Sequence, residues 1–143
     1  MKHKGGCHCG AIRLVYESDV PPEEAPLRVC QCDFCRRHGA LAVSDPAGRA
    51  IIDIRDSEAV QRYRFGSRTA DYLVCGRCGV YVAAVMETEG KARAVVIVRA
   101  LDDAARFSQA GIPADFSGEP SDERLARRKR TWTPASFGRS GPS

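Results

Sequence analysis

The alternation of hydrophobic and polar side chains predicts a chain built mainly of short β-strands. Residues 11–16 alternate apolar and polar positions with the period of a strand. Further short segments combine apolar or alternating residues with flanking turn residues, which is typical of strands. These segments are 27–30, 40–44, 50–54, 59–65 and 71–75.

Two valine-rich segments are the most apolar parts of the chain. They cover residues 80–86 and 92–100, and the polar residues 87–91 lie between them. A short polar connection between two apolar runs predicts a hairpin turn. Because these are the most apolar and valine-rich segments of the chain, we expect them to form the buried centre of the sheet.

Helical character is limited to short segments. Asp33 is suited to cap a helical turn that runs through Arg37, and Gly39 is suited to end it. Residues 102–107 indicate one or two helical turns, and residues 122–130 indicate a short helix. The sequence therefore predicts a sheet with a few short helices attached to it.

The length of 143 residues predicts a single domain. We expect its core at about residues 5–100 and a C-terminal extension at 101–143. Within the extension, the proline and glycine content of 112–120 predicts a loop. Trp132, the only tryptophan, is expected to pack against the sheet. Residues 138–143 predict a frayed tail.

Composition and charge restrict the classes of function. The hydrophobic share is 43%, and no apolar run approaches the ~20 residues that span a bilayer. The charged N-terminus has no apolar stretch behind it, so we expect a cytoplasmic protein without a membrane partner. The net charge is only +4. A basic run could attract phosphates, but the expected role is a solvated helix face, and nucleic acid is not the expected partner. That run is Arg124, Arg127, Arg128, Lys129 and Arg130.

The cysteines carry the strongest chemical signal. All seven fall in three short groups, and an odd number cannot pair completely as disulfides. A reducing cytoplasm also disfavours disulfides. Two groups contain Cys-x-Cys, which would form a strained small ring as a disulfide but can hold a metal without strain. The pattern therefore predicts metal ligation by Cys7, Cys9, Cys30, Cys32, Cys35, Cys75 and Cys78.

The first and last groups together predict one closed zinc site. Four thiolates satisfy tetrahedral zinc completely, and the site would join the first strand to a distant segment, which is a structural task. The ligands are Cys7, Cys9, Cys75 and Cys78. In the Cys-x-x-Cys-Gly turn we expect backbone N–H groups to point at sulfur, with Gly79 at positive φ. A redox pair at Cys75 and Cys78 would need a thioredoxin-like setting that the strands do not offer.

The middle group predicts a second, incomplete site. Cys30, Cys32 and Cys35 offer three sulfurs with no cysteine left as a fourth ligand. Three protein ligands and one open position are typical of a catalytic zinc. The alternative is a closed structural site whose fourth ligand arrives from elsewhere. The candidates for that ligand are His38, His8, His3 and Asp33.

The type of ligand limits the reaction at the second site. Three thiolates make zinc a weak Lewis acid, which disfavours hydroxide chemistry. A substrate thiol suits the open position better, and it would be held as the nucleophilic thiolate. A small aldehyde is the candidate electrophile. Arg36 and Arg37 adjoin Cys35 and are the candidates for contact with a substrate. The alternative is that a cation beside a thiolate site does no more than offset the negative charge of the sulfurs.

These motifs together resemble the glutathione-dependent formaldehyde-activating enzyme family, also called the CENP-V/GFA domain. The matching elements are Gly6-Cys7-His8-Cys9-Gly10-Ala11, Cys30-x-Cys32-x-x-Cys35-Arg36 and Cys75-Gly76-x-Cys78-Gly79. The resemblance implies a mainly β, Mss4-like fold of antiparallel sheets pinned by two zinc ions, with short helical turns. It assigns Cys7, Cys9, Cys75 and Cys78 to the structural zinc and Cys30, Cys32 and Cys35 to the catalytic zinc.

The family's activity is carbon–sulfur lyase chemistry on the adduct of glutathione and formaldehyde, of the S-(hydroxymethyl)glutathione synthase type. The resemblance thus implies an enzyme whose partner is a small thiol such as glutathione. Val80 departs from the small polar residue that the family often has after the last cysteine turn. Two alternatives remain from the residues alone: a non-catalytic, zinc-stabilised module that binds a protein or nucleic acid, and a sensor that loses zinc on oxidation.

Overall fold

The computed structural model describes residues 1–138, and they form eleven β-strands, two α-helices and two short 3₁₀ turns. The first strands are β1 (Lys2–Gly6), β2 (Ile12–Glu17), β3 (Arg28–Cys30), β4 (Ala42–Val43), β5 (Arg49–Ile54) and β6 (Val60–Tyr63). They are followed by β7 (Asp71–Cys75), β8 (Tyr81–Thr88), β9 (Lys91–Ile97), β10 (Ile112–Ala114) and β11 (Thr133–Phe137). The helices are α1 (Asp33–His38) and α2 (Ser121–Thr131), and the 3₁₀ turns are Val98–Ala100 and Ala104–Arg106.

All strands join one branched sheet whose centre is β9. One edge of β9 pairs with β8, which continues through β7 to β6. The other edge pairs first with β11 and then with β4, so two wings diverge from it. One wing runs through β11, β5, β2 and β1, and the other through β4, β3 and β10. The mainly β fold class predicted from the sequence is confirmed.

The strand predictions are confirmed in position, and the differences lie at their ends. The hairpin of β8 and β9 forms as predicted, and Tyr81–Met86 is buried without interruption. Residues 98–100 leave the strand as a 3₁₀ turn, so β9 is shorter than predicted. Trp132 packs against β8 and β9 beside Ala84, Met86 and Val95, which confirms its expected role.

Three strands were not predicted, and two of them, β1 and β11, have sequences that lack an apolar alternation. β1 contains lysines and glycines, yet His3 and Gly5 are buried on its inner side. A Cβ added at Gly5 would collide with the Ala100 carbonyl oxygen, so only glycine allows this close approach of two backbones. β11 consists mostly of small or polar residues and includes a proline.

The part of the chain beyond residue 100 contributes to the sheet. β11 lies between β5 and β9, parallel to β5 and antiparallel to β9. The loop predicted at 112–120 is wrong in its first residues, since β10 pairs in parallel with β3. These two parallel pairings are an addition to the antiparallel sheet that was predicted. Apart from Gly138, the predicted frayed tail at 138–143 lies outside the described residues.

Helix α2 packs Leu125 against the cluster formed by Trp132 and the β8 and β9 residues Ala84, Met86 and Val95. Its expected position at 122–130 is confirmed with one more residue at each end. Among residues 1–138, no helix has the length and apolar character that a membrane crossing requires.

Candidate metal centres

Four cysteine sulfurs meet at the end of β7. We call this group the four-sulfur centre, and its members are Cys7, Cys9, Cys75 and Cys78, whose Sγ atoms all lie within 4.8 Å of one another. The Sγ of Cys9 lies 3.8 Å from that of Cys7 and 3.6 Å from that of Cys75. A Zn–S bond of about 2.3 Å gives a tetrahedron with edges of roughly 3.8 Å. The spacing of the sulfurs therefore fits a tetrahedral metal ion.

Backbone turns hold the four-sulfur centre in place. The backbone N–H of Ile12 donates to Cys7 Sγ at 3.2 Å, and that of Cys78 donates to Cys75 Sγ at 3.5 Å. Gly10 and Gly79 have φ values of 87° and 80°, a backbone conformation that residues other than glycine rarely adopt. The predicted N–H donation to sulfur and the positive φ of Gly79 are confirmed.

Three more sulfurs form a second group, which we call the three-sulfur centre. Cys30 ends β3, Cys32 caps α1 and Cys35 lies within α1, and their Sγ atoms lie within 4.8 Å of one another. Cys32 Sγ accepts a hydrogen bond from the backbone N–H of Cys35 at 3.4 Å. The prediction that Asp33 caps the helix is therefore wrong, because sulfur occupies the cap position. Gly39 ends the helix with φ 60°, as predicted.

No fourth protein ligand joins the three-sulfur centre among the described residues 1–138. Of the four candidates, His3 is buried on β1 and its Nδ1 lies 2.8 Å from Asp103 Oδ2. His38 packs its ring against Phe34 and Tyr81, and Asp33 pairs with Arg36. His8 is exposed. None of the four candidates therefore completes the three-sulfur centre in the described part of the chain.

Close contact among the sulfurs makes their proton affinities unequal. Hydrogen bonds from the Cys30 and Cys35 thiols lower the pKa of Cys32 to about 2. The same contacts raise the pKa of Cys35 well above its usual range. In the four-sulfur centre, burial alone would raise the pKa of Cys78, but backbone N–H groups, first that of Cys9, outweigh it and lower the pKa to about 6. The environment of each centre therefore favours deprotonation of one cysteine, Cys32 or Cys78, and the thiolate is the form of cysteine that binds metal.

Two cavities that share lining residues lie beside the three-sulfur centre. The inner cavity has a volume of about 70 Å³ and is lined by Cys30 and Cys35 together with Tyr72 and Tyr81. The rest of its lining is mostly apolar: Ala40, Ala42, Ala84, Val95, Ile97 and Trp132. The outer cavity has about 220 Å³ and is lined by Cys30, Cys32, Phe65, Tyr72 and Asp115. Sulfurs of the three-sulfur centre therefore face a space that a small molecule can enter.

An aromatic cluster forms one wall of this region. Phe34 lies at its centre, with ring centroids 5.1 Å from Tyr72 and 5.0 Å from Tyr81. The rings of Tyr63 and Phe65 lie 5.5 Å and 5.4 Å from Phe34 on its other sides. Burial raises the pKa of Tyr72 to about 12, so its phenol keeps its proton at neutral pH.

The arginines at the cavities are not the ones that sequence reasoning selected. Arg36 and Arg37 are exposed on α1 and line neither cavity. The cavities are lined instead by Arg28 of β3 and by a face of α2, namely Arg124, Arg127 and Arg128. The spacing of the α2 arginines, at positions three and four apart, was the available signal that they share one helix face.

The model of the family described as "Glutathione-dependent formaldehyde-activating enzyme" matches residues 2–112. The chain belongs to this family. The resemblance stated from the cysteine motifs is thereby confirmed. The match includes both centres, whereas α2 and β11 lie beyond its end.

A solved structure supports the same fold. A crystal structure of a Rhodobacter sphaeroides protein is similar to this chain, with 32% sequence identity and a TM-score of 0.56. The similarity covers 77% of this chain and 97% of the other. Family membership supports a glutathione- or formaldehyde-related activity, and both cysteine groups have the geometry to hold a metal ion.

Proposed function

We propose that this protein is a carbon–sulfur lyase that makes and breaks the bond between a small thiol and a small aldehyde, of the glutathione and formaldehyde type. The observation that carries the proposal is the three-sulfur centre, which has no fourth ligand among residues 1–138 and faces the inner cavity. An open position beside a cavity is the arrangement of a catalytic metal site.

Zinc is the metal we propose for both centres, two ions per chain. The four-sulfur centre would hold a closed, structural ion, since four sulfurs at tetrahedral spacing leave no position for a substrate. Cys30, Cys32 and Cys35 would hold the catalytic ion, which when bound favours the thiolate form of a substrate thiol. The seven cysteines are all free, and a reducing compartment such as the cytoplasm keeps them so.

The chemical step needs a thiolate, a carbonyl carbon and a proton. The substrate thiol loses its proton, its sulfur bonds to the aldehyde carbon, and the carbonyl oxygen takes up a proton to become a hydroxyl group. The reverse reaction breaks the same carbon–sulfur bond and returns the proton. No oxidant or reductant is required in either direction.

Tyr72 is our candidate for the proton donor to the carbonyl oxygen. It lines both cavities with Cys30, and its Oη carries a proton at neutral pH. The apolar side chains of the inner cavity, such as Val95 and Ile97, would limit water beside the aldehyde and so favour sulfur as the nucleophile, while Arg28, Arg127 and Arg128 line its charged part. Arg36 and Arg37 remain predicted substrate contacts.

The experiment is exchange NMR on isotope-labelled formaldehyde mixed with glutathione. Because the adduct also forms without catalyst, the measured quantity is the rate of exchange above the spontaneous rate. We expect the wild-type protein to accelerate exchange, and Cys32→Ser to return it to the spontaneous rate. Exchange at the spontaneous rate with wild-type protein that contains two metal ions would exclude glutathione and formaldehyde as substrates.

The alternative of a nucleic-acid-binding module finds little support in the arrangement of α2. Arg124 and Arg127 pair with Glu119, and Arg128 is buried. Lys129 pairs with Glu89. Most of the basic run is therefore engaged within the protein instead of forming a free phosphate-binding surface.

A further inference from the structure

We propose that Arg28 and Arg128 form an anion subsite that binds a carboxylate of the substrate beside the three-sulfur centre. The proposal rests on the function proposed above and narrows its substrate class to carboxylate-bearing molecules. Arg28 lies within residues 2–112, which the family model matches, whereas Arg128 lies beyond them on α2.

Arg128 is buried without a carboxylate partner. Its side chain is 5% exposed, and it donates one hydrogen bond, from a terminal nitrogen to Thr69 Oγ1 at 2.8 Å. Its guanidinium carbon lies 4.7 Å from the Trp132 ring centroid. Its buried Nε has no hydrogen-bond partner. A buried guanidinium is stable only when an anion and hydrogen-bond acceptors compensate for lost water, so a partner is missing at this point.

Arg28 adds a second cation to the same cavity. It is half-buried on β3 and donates to Ser44 Oγ at 2.9 Å, while Ser44 in turn donates to the Thr131 carbonyl at the end of α2. These bonds fix its position relative to α2. Within the part of the chain that the structure describes, neither Arg28 nor Arg128 forms an ion pair with a carboxylate.

The neighbouring arginines on α2 already have a carboxylate partner. Arg124 and Arg127 both pair with Glu119, at 3.4 Å and 3.0 Å, and Arg127 also stacks on Phe116 at 3.6 Å. Asp115 lines the outer cavity but not the inner one. Among the arginines that line the two cavities, Arg28 and Arg128 are therefore the two without a carboxylate partner in the described residues, and both line the inner cavity together with Cys30 and Cys35.

The size of the inner cavity defines which part of a substrate enters it. A water molecule needs roughly 10–15 Å³ by the same measure, so a cavity of about 70 Å³ admits a group of a few heavy atoms. A carboxylate on a short carbon chain fits, and planar guanidinium groups bind carboxylates with paired hydrogen bonds. The carboxylate belongs either to the thiol or to the carbonyl compound, and both sources share this chemistry.

The test uses the fluorescence of Trp132, the only tryptophan, which lines the inner cavity and stacks on Arg128. The full-length metal-loaded protein is titrated with two pairs of probes that differ in charge. Mercaptoacetate and mercaptoacetamide compare thiols, and glyoxylate and glycolaldehyde compare carbonyl compounds.

We expect at least one anion to bind about tenfold more tightly than its neutral partner, since a charge-assisted hydrogen bond to a buried group has this effect. The pair that shows the difference identifies the source of the carboxylate.

The variants are Arg28→Gln and Arg128→Gln, with Arg49→Gln on β5 and Arg130→Gln on α2 as exposed controls that line neither cavity. We expect the first two to reduce the preference for the anion to within about twofold, and the controls to keep it. If Arg128→Gln fails to fold, as judged by circular dichroism, Arg28→Gln and Arg128→Lys decide the question, with the lysine variant expected to retain part of the preference.

Two results would overturn the subsite. One is equal binding of anion and neutral partner in both pairs by the wild-type protein. The other is loss of metal from Arg28→Gln and Arg128→Gln with an unchanged preference for the anion, which would mean that both arginines only offset the charge of the thiolates. Binding is measured without turnover, so the two proposals can fail separately. The subsite can be present when exchange with glutathione and formaldehyde is not catalysed, and exchange can be catalysed when the subsite is absent.

Discussion

The Sγ atoms of Cys9 and Cys75 lie 3.6 Å apart, although 66 positions separate the two residues in the chain. A metal at this point closes a long loop and joins the turn after β1 to the end of β7. Cys75 is fully buried, so an unliganded thiolate there would be costly. The four-sulfur centre is therefore placed where metal binding and folding are coupled.

We first predict that Cys78→Ser does not fold. A structural zinc site contributes about 10 kcal/mol or more in small zinc domains, which is comparable to the whole stability of a typical domain. The measurements are soluble yield, the far-ultraviolet circular dichroism spectrum and metal content. A soluble variant with a cooperative unfolding transition and one metal ion per chain would disprove this assignment.

The second prediction concerns Cys32→Ser, the same substitution of cysteine by serine, but in the three-sulfur centre. The three cysteines of this centre lie within a few positions of one another, so the metal closes no long loop. We expect the variant to fold, to bind one metal ion instead of two and to lose catalysed exchange. Elemental analysis per chain together with thermal unfolding provides the check. Retention of two metal ions would show that a substitute ligand completes the site.

The cysteine groups and most strands were predictable because their signals are local. Cys30, Cys32 and Cys35 are close in sequence, and β8 is apolar from Tyr81 to Met86. β11 was not predictable, because its small and polar residues become a strand only between β5 and β9. For the same reason Arg128 looked like part of a solvated face: its burial depends on Thr69 and Trp132.

Our third prediction is that Tyr72→Phe lowers the catalysed exchange rate by about 100-fold, the lower end of the range for general acid catalysis. The matched control is Tyr63→Phe, since Tyr63 belongs to the same aromatic cluster but is 51% exposed and lines neither cavity. Both variants should keep two metal ions, which metal analysis verifies. Equal rates for the two variants would remove Tyr72 as the proton donor.

The fourth prediction tests the close approach of β1 to the segment after β9. In Gly5→Ala the new Cβ would collide with the Ala100 carbonyl oxygen, so one backbone must move. We expect a loss of about 3 kcal/mol in the free energy of unfolding. Gly118→Ala is the control, because no atom lies within 4 Å of its added Cβ. Denaturant unfolding of both variants gives the comparison, and similar midpoints would contradict the close packing of β1 against Ala100.

The last prediction is a loss of stability at alkaline pH that depends on Tyr16. Burial raises the pKa of this phenol from 10.0 to about 12, and nearby Asp45 acts in the same direction, against the hydrogen bond with Ser18. Below pH 10 the phenol is protonated in both the folded and unfolded states. Between pH 10 and 12 the unfolded chain loses this proton while the folded protein keeps it, so the free energy of unfolding falls as pH rises through this window.

A shift of about two pKa units corresponds to about 3 kcal/mol. We therefore expect the stability of the wild-type protein to fall more steeply over this range than that of Tyr16→Phe, as measured by denaturant unfolding at a series of pH values. Parallel curves for the two proteins would show that Tyr16 titrates alike in both states.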